Sequence, residues 1–195
     1  MSNSVVNRTQ RLTLTFDNGP DPDVTPLVLD ELARRNIKTT FFVLGKHMAD
    51  PGLRALAERA RSEGHWIGNH TYFHEIPLGE QTEPGAAGRE IRKTDALIGG
   101  LAQPSKLFRP FGGGGNLDKS LLNAEACDYL KAEGFTCVLW NSIPRDWENP
   151  DGWVETAIAQ LDESSWPLMV LHDLATGAMR HLSRFLDIVT ARGID

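Results

Sequence analysis

Short apolar runs rich in β-branched residues alternate along this chain with longer segments whose apolar positions recur every three or four residues. Residues 11–16 (RLTLTF) have period two and predict a strand. The stretch Asn18-Gly19-Pro20-Asp21-Pro22 that follows suits neither a helix nor a central strand. Thr25 is the expected cap of a helix to about Arg35, with Val24, Leu27, Val28 and Leu32 on one stripe. Residues 39–44 (TTFFVL) predict a buried strand, 53–62 a helix stopped at Gly64, and 66–68 a short strand leading into 69–74. Farther on, the pattern predicts a helix over 90–98, a strand over 106–109 and a glycine loop over 112–115. A helix capped by Asp118 and running to about Glu133, strands over 135–140 and 168–172, and a helix from about 177 to 191 complete the series.

Repeated strand–helix units predict an α/β fold with a mostly parallel sheet and helices outside. Six or seven units fit in 195 residues, whereas a complete eight-unit barrel needs about 250. The expected architecture is therefore a distorted, incomplete (β/α) TIM-like barrel with about six or seven parallel strands, an open doubly wound sheet being the alternative. With no linker, repeat or low-complexity tract, residues 1–195 read as one domain.

Composition narrows the partners. The chain carries 20 Lys and Arg against 26 Asp and Glu, a net charge of −6, which argues against nucleic acid. No apolar run reaches the roughly 18–20 residues that span a bilayer, so no membrane is expected. Residues 1–10 are polar and lack the apolar segment of a secretory signal, which predicts a cytoplasmic protein. Cys127 and Cys137 make neither a disulfide framework nor a zinc-ribbon spacing and read as free thiols.

In a parallel α/β architecture, ligands gather where strands end. The polar residues at the predicted C-terminal ends are Asp17 and Asn18, His70 and His74, Arg109, Asp146 with Trp147, and His172 with Asp173. His70 and His74 share one face if residues 69–75 take a helical turn, a frequent geometry for two ligands of zinc or a similar ion. His47, His65 and His181 lie elsewhere and are assigned to surface or core. Each candidate also has a structural reading: Asp17 and Asn18 as turn residues, Arg109 as an ion pair, Asp146-Trp147 as a loop anchor, His172 as a hydrogen-bonded strand end. The sequence contains no G-x-S-x-G elbow, P-loop or G-x-G-x-x-G after the first strand.

Five ordered segments resemble the NodB-homology polysaccharide deacetylases, carbohydrate esterase family 4. They are TFDNGP at 15–20, NHTYFH at 69–74, FRPFGG at 108–113, WNSIPRDW at 140–147 and VLHD at 170–173. The resemblance implies a distorted (β/α) barrel and a metal-dependent hydrolase that removes acetyl groups from N- or O-acetylated sugars. It implies one divalent transition metal, zinc first with cobalt or nickel as alternatives, held by Asn18, His70 and His74. Asp17 would be the base with Arg109 holding it, and His172 the acid with Asp146 orienting it. Gly112, Trp147, Leu171 and Tyr72 would bind substrate. Asn18 stands where the family has a metal-binding Asp, so the ion would lose one negative ligand. The family's aromatic after its Pro pair aligns with Gly112, and an acidic position aligns with Ile143, so the pocket is expected to differ. Two other readings share the scaffold: a catalytically silent sugar-binding protein, with Trp66, Tyr72 and Trp147 as stacking surfaces, and a hydrolase of a small non-sugar amide.

Overall fold

The computed structural model describes residues 10–113, 116 and 118–195. Six strands carry the frame: β1 (Thr13–Asp17), β2 (Thr40–Val43), β3 (Trp66–Asn69), β4 (Leu107–Phe108), β5 (Thr136–Cys137) and β6 (Leu168–His172). They form one sheet in the order β5-β4-β3-β2-β1-β6, every neighbour parallel. The register sets Asp17 beside His172 on β6 and Phe42 on β2.

The sequence pattern predicts that the fifth strand runs on to Trp140, but β5 ends at Cys137. After Val138, whose N–H still donates to Phe108, the chain crosses to the opposite edge of the sheet. There Ser142 donates to the Leu168 carbonyl and accepts from the Val170 N–H, forming one parallel bridge with β6. This bridge draws the two edges together and curls the sheet into the incomplete, distorted (β/α) barrel that the pattern predicts.

Strand alternation separates two faces. Leu14, Phe16, Phe41, Val43, Met169 and Leu171 pack outward against the helices in the main core, while Thr15, Asp17, Val170 and His172 occupy the alternate positions. The helices are α1 (Val24–Arg34), α2 (Gly45–Met48), α3 (Pro51–Ser62), α4 (Lys93–Ile98), α5 (Ala124–Ala132), α6 (Trp153–Leu161) and α7 (Leu182–Ala191). Among the described residues, no helix is long and apolar enough to cross a membrane.

Several helix starts differ from expectation, each for a local reason. Thr25 lies inside α1 and is not its N-cap; the Asp21 carboxylate accepts from the Asp23 and Val24 N–H groups, while the Thr25 hydroxyl oxygen accepts from the Asp21 N–H at 2.8 Å. Asp118 makes a tight turn on Ser120, and α5 begins only after Asn123, whose side chain accepts from the Ala126 N–H. The helix predicted over 90–98 is α4 preceded by a π turn, Gly88–Arg92. Residues 178–181, expected in the last helix, form a 3₁₀ turn before α7. The pattern reading misses α6 altogether. Its nine residues follow the polar loop 145–152 (RDWENPDG), and its helical stripe becomes plain only once Trp153, Val154, Ala157 and Leu161 are seen buried together.

Trp153 is fully buried, donates from its indole nitrogen to the Ala178 carbonyl at 2.9 Å and lies 5.2 Å from the Phe185 ring. Trp153→Ala is expected to cost about 3–5 kcal/mol. Urea unfolding would show this as a lower midpoint, and a loss below about 1 kcal/mol would contradict the packing role given to this ring.

Candidate active site

Arg109, the residue after β4, is wholly buried. One terminal nitrogen donates to Asp17 Oδ1 at 2.8 Å and to Thr15 Oγ1 at 2.7 Å. Its Nε–H donates to the Val138 carbonyl at 3.2 Å, its other terminal nitrogen to the Leu139 carbonyl at 3.4 Å, and its plane covers the Phe42 ring at 4.1 Å. Burial alone would raise the Asp17 pKa. The charge and hydrogen bond of Arg109, with the neighbouring His172, more than offset that and hold the carboxyl below its usual range, so it is ionised at neutral pH.

His70 follows β3 directly. Its Nδ1 lies 2.8 Å from the Arg109 carbonyl, which can only accept, so the ring proton sits on Nδ1. Nε2 then carries a lone pair, 3.6 Å from Asp17 Oδ2. Burial depresses both imidazoles: His70 below its ordinary value, and His74 down to about 3. Both are therefore neutral, the form that binds a metal. Their ring centroids are 5.0 Å apart. The helical turn expected for 69–75 is absent, because Thr71 and His74 have φ of 71° and 57° and the chain loops between them.

Asn18 adopts φ 75°, a left-handed conformation that Asn tolerates well, and its Oδ1 is buried with no hydrogen-bond partner. Among the described residues, no three His, Cys, Asp or Glu side chains are arranged to hold an ion. Two neutral imidazoles and an orphaned amide oxygen nevertheless fit a divalent cation, since an orphaned buried acceptor and an outward lone pair both lack a positive partner. Gly19 admits no side chain, because a Cβ there would sit 2.1 Å from Asp173 Oδ2. That same oxygen accepts the Thr25 hydroxyl at 2.5 Å, and burial raises the Asp173 pKa to about 7.

His172 closes β6. Its Nδ1 is 2.8 Å from Asp146 Oδ1, and its backbone N–H donates to Asp146 Oδ2 at 2.9 Å. Burial alone would lower its pKa. The hydrogen bond and charge of Asp146, with the charges of Asp17 and Asp173, win and raise it. Trp147 packs edge-on against the ring at 4.7 Å. A pocket of about 300 Å³ joins these groups; Asp17, Asn18, His70, His74 and His172 line it on one side. Phe111, Trp140, Ile143, Trp147, Val170 and Leu174 line the rest, with Pro110 and Gly112.

A family model described as polysaccharide deacetylase matches residues 5–138. The chain belongs to the polysaccharide deacetylase family. It is 33% identical over 168 residues to a chitooligosaccharide deacetylase of Rhizobium leguminosarum bv. trifolii, covering 84% of this chain and 72% of that protein. It is 27% identical over 189 residues to the peptidoglycan-N-acetylglucosamine deacetylase PgdA of Listeria monocytogenes serotype 1/2a, covering 95% of this chain but spanning only 37% of the relative's length. Among solved structures, a family 4 carbohydrate esterase from Streptomyces lividans in complex with acetate superposes with a TM-score of 0.75 at 26% identity, covering 95% of this chain and 90% of the other.

Of the residues singled out from the deacetylase motifs, Asp17, Asn18, His70, His74, Gly112, Trp147 and His172 line the pocket. Arg109 and Asp146 stand directly behind Asp17 and His172. Two expected substrate contacts do not reach it. Leu171 faces the opposite side of β6, into the main core, because alternation places Val170 on the face of His172. Tyr72 lies outside the pocket, its ring under the Lys93 ammonium at 3.5 Å. Trp66, one of the proposed stacking surfaces, is at the other end of β3 and lines a separate cleft. The aromatic wall expected to be lost at Gly112 is supplied one residue earlier, where Phe111 stacks on His74 at 3.8 Å. Gly112 itself has φ 116°, and a Cβ would meet Pro77 at 2.7 Å. Gly114 and Gly115 of the same loop lie outside the described residues. Of the remaining histidines, His65 is buried with its Nδ1 accepting from the Thr39 N–H at 3.2 Å, and His181 sits near the exposed Asp151. His47, assigned to surface or core, packs against the backbone of Asn18 and Gly19 and so borders the site. Phe111, Trp140, Val170 and Leu174 also line the pocket without a role expected from sequence; for Val170 the signal is there, two positions before His172 on the same strand face.

Because folding raises the His172 pKa, its pairing with Asp146 stabilises the fold fully below about pH 6.5 and loses that contribution as pH rises through the folded value. Asp146→Asn removes the carboxylate charge and is expected to bring the His172 pKa down, below the wild-type value. Titration of the imidazole carbon-bound protons by NMR measures this; an unmoved pKa would show that Asp146 does not set the charge of His172.

Proposed function

We propose that this deacetylase-family chain is a metal-dependent hydrolase that removes acetyl groups from N-acetylated, and also O-acetylated, sugars or oligosaccharides. The observation that carries the reading is the pair of buried contacts behind two pocket groups on adjacent strands. Arg109 donates to Asp17 at 2.8 Å and favours its carboxylate, a base, while Asp146 pairs with His172 Nδ1 at 2.8 Å and shifts that imidazole towards its protonated form, an acid. The names of the relatives, deacetylases of chitooligosaccharide and of peptidoglycan N-acetylglucosamine, support an acetylated-sugar substrate.

Asn18, His70 and His74 would hold a divalent transition ion, zinc or else cobalt or nickel, and when bound it supplies a Lewis acid that polarises the acyl carbonyl and acidifies water. Asp17 accepts the proton of the attacking water, and Arg109 holds the carboxylate in place for it. The Gly112 N–H, at the pocket wall, adds a donor for the developing oxyanion. His172 gives its proton to the departing amine nitrogen, so that the C–N bond breaks to release acetate and a free amine. Asp146 stabilises the imidazolium before that transfer. Phe111, Ile143, Trp147, Val170 and Leu174 exclude water around the acyl group.

With zinc, cobalt or nickel supplied, purified protein is expected to release acetate from acetylated oligosaccharides, and Asp17→Asn and His172→Ala each to lose at least about 100-fold in kcat. Activity should fall on the alkaline side as His172 deprotonates, at a pH above its ordinary value of about 6.5. Asn18→Asp should tighten zinc binding at least about tenfold, on the order of 1.4 kcal/mol, because a charged ligand replaces a neutral one. No acetate and no bound ion would hand the site to the silent sugar-binding reading; acetate released only from small amides would replace the sugar.

A further inference from the structure

The loop that carries His70 and His74 is held by a residue that lies outside all five sequence motifs. Thr71 and His74 adopt φ of 71° and 57°, conformations that side-chain-bearing residues avoid, so packing must impose them. Between those two positions, the N–H groups of Tyr72 and Phe73 both donate to one oxygen, Glu90 Oε2, at 2.8 and 2.9 Å. Glu90 is 5% exposed and sits in the π turn Gly88–Arg92. Such turns insert one extra residue into a helix and so re-aim its side chains.

The same turn takes a second hold on the loop. Asn69 Nδ2 donates to the Ile91 carbonyl at 2.9 Å, and Asn69 Oδ1 accepts the Thr71 N–H at 3.0 Å. The Thr94 hydroxyl donates to the Glu90 carbonyl at 2.8 Å and secures the junction with α4. On its other side the loop offers its Thr71 and Tyr72 carbonyls to the Gly45 and Lys46 N–H groups, at 2.9 and 3.1 Å. Within this set, Glu90 Oε2 takes two of the bonds on a single oxygen, so one side chain holds both peptides between Thr71 and His74.

We infer that Glu90 is a positioning residue whose buried carboxylate clamps the Tyr72 and Phe73 backbone and thereby sets the His70 and His74 imidazoles at the spacing that binds a divalent ion. This rests on the metal-binding reading of the site given above. The carboxylate acts at one remove: it touches neither imidazole, and it fixes the peptides between them.

The test uses zinc on the metal-free full chain, with affinity read by competition against a chromophoric chelator and hydrogen exchange read at the Tyr72 and Phe73 amides. Glu90→Ala is expected to bind zinc about 10- to 100-fold more weakly. Both amides should be protected in the wild type and exposed to exchange in that variant. Glu90→Gln keeps an oxygen that can accept both N–H groups and should restore affinity and protection. Zinc affinity in Glu90→Ala equal to the wild type would overturn the inference, as would free exchange of both amides in the wild type, a result that needs no variant to fold. A wild type that binds no zinc while both amides stay protected would instead overturn the metal reading and leave the clamp standing.

Discussion

A guanidinium buried away from water must find partners for its donors and its charge, and the site is built around that requirement at Arg109. The partners come from three separate parts of the chain: Thr15 and Asp17 on β1, the Val138 and Leu139 carbonyls after β5, and the Phe42 face on β2. Two backbone carbonyls turned towards Arg109 explain why β5 stops early. They serve the guanidinium where the continuing strand would have served the sheet, and the chain then crosses to β6 at Ser142. Removing the guanidinium would strand a buried carboxylate at Asp17, which makes Arg109 a feature of stability as well as of chemistry.

The second consequence is a division of charge across a small space. Asp17 and His172 are register neighbours on paired strands, yet one is pushed towards the anion and the other towards the cation. Burial alone would neutralise both. What separates them is the identity of the group behind each, a guanidinium for Asp17 and a carboxylate for His172. The two remaining imidazoles have no such backing charge strong enough to overcome burial and stay neutral. Asn18 fits the same logic: an amide brings an acceptor to the site without adding a charge that would have to be balanced.

The wall opposite these groups is apolar and differs from what the motifs imply. Phe111 provides the aromatic surface that the alignment at Gly112 removes, and it does so by stacking on His74. Ile143, in place of an acidic residue, extends a surface already made by Trp140 and Val170. The change at one motif position is thus absorbed by a neighbour, and a residue-by-residue alignment does not show it.

From the sequence alone one could read the alternation that sorts strand faces, the strand ends that carry Asp17, His70, Arg109 and His172, and the incomplete parallel barrel. All three depend on local order: period-two burial and motifs that sit within a few residues of a strand's end. Tertiary structure alone decided the rest. Leu171 and Val170 differ by a single step of that alternation, and the pocket takes Val170. His70 and His74 come together through a left-handed loop, not the helical turn their spacing suggests, because contacts from α2 and the π turn impose that backbone. Glu90 and the Trp153 helix carry no local mark of their roles. A polar group's partner and an apolar group's neighbours are set by which distant segments the curled sheet brings against them, and no window of sequence contains both.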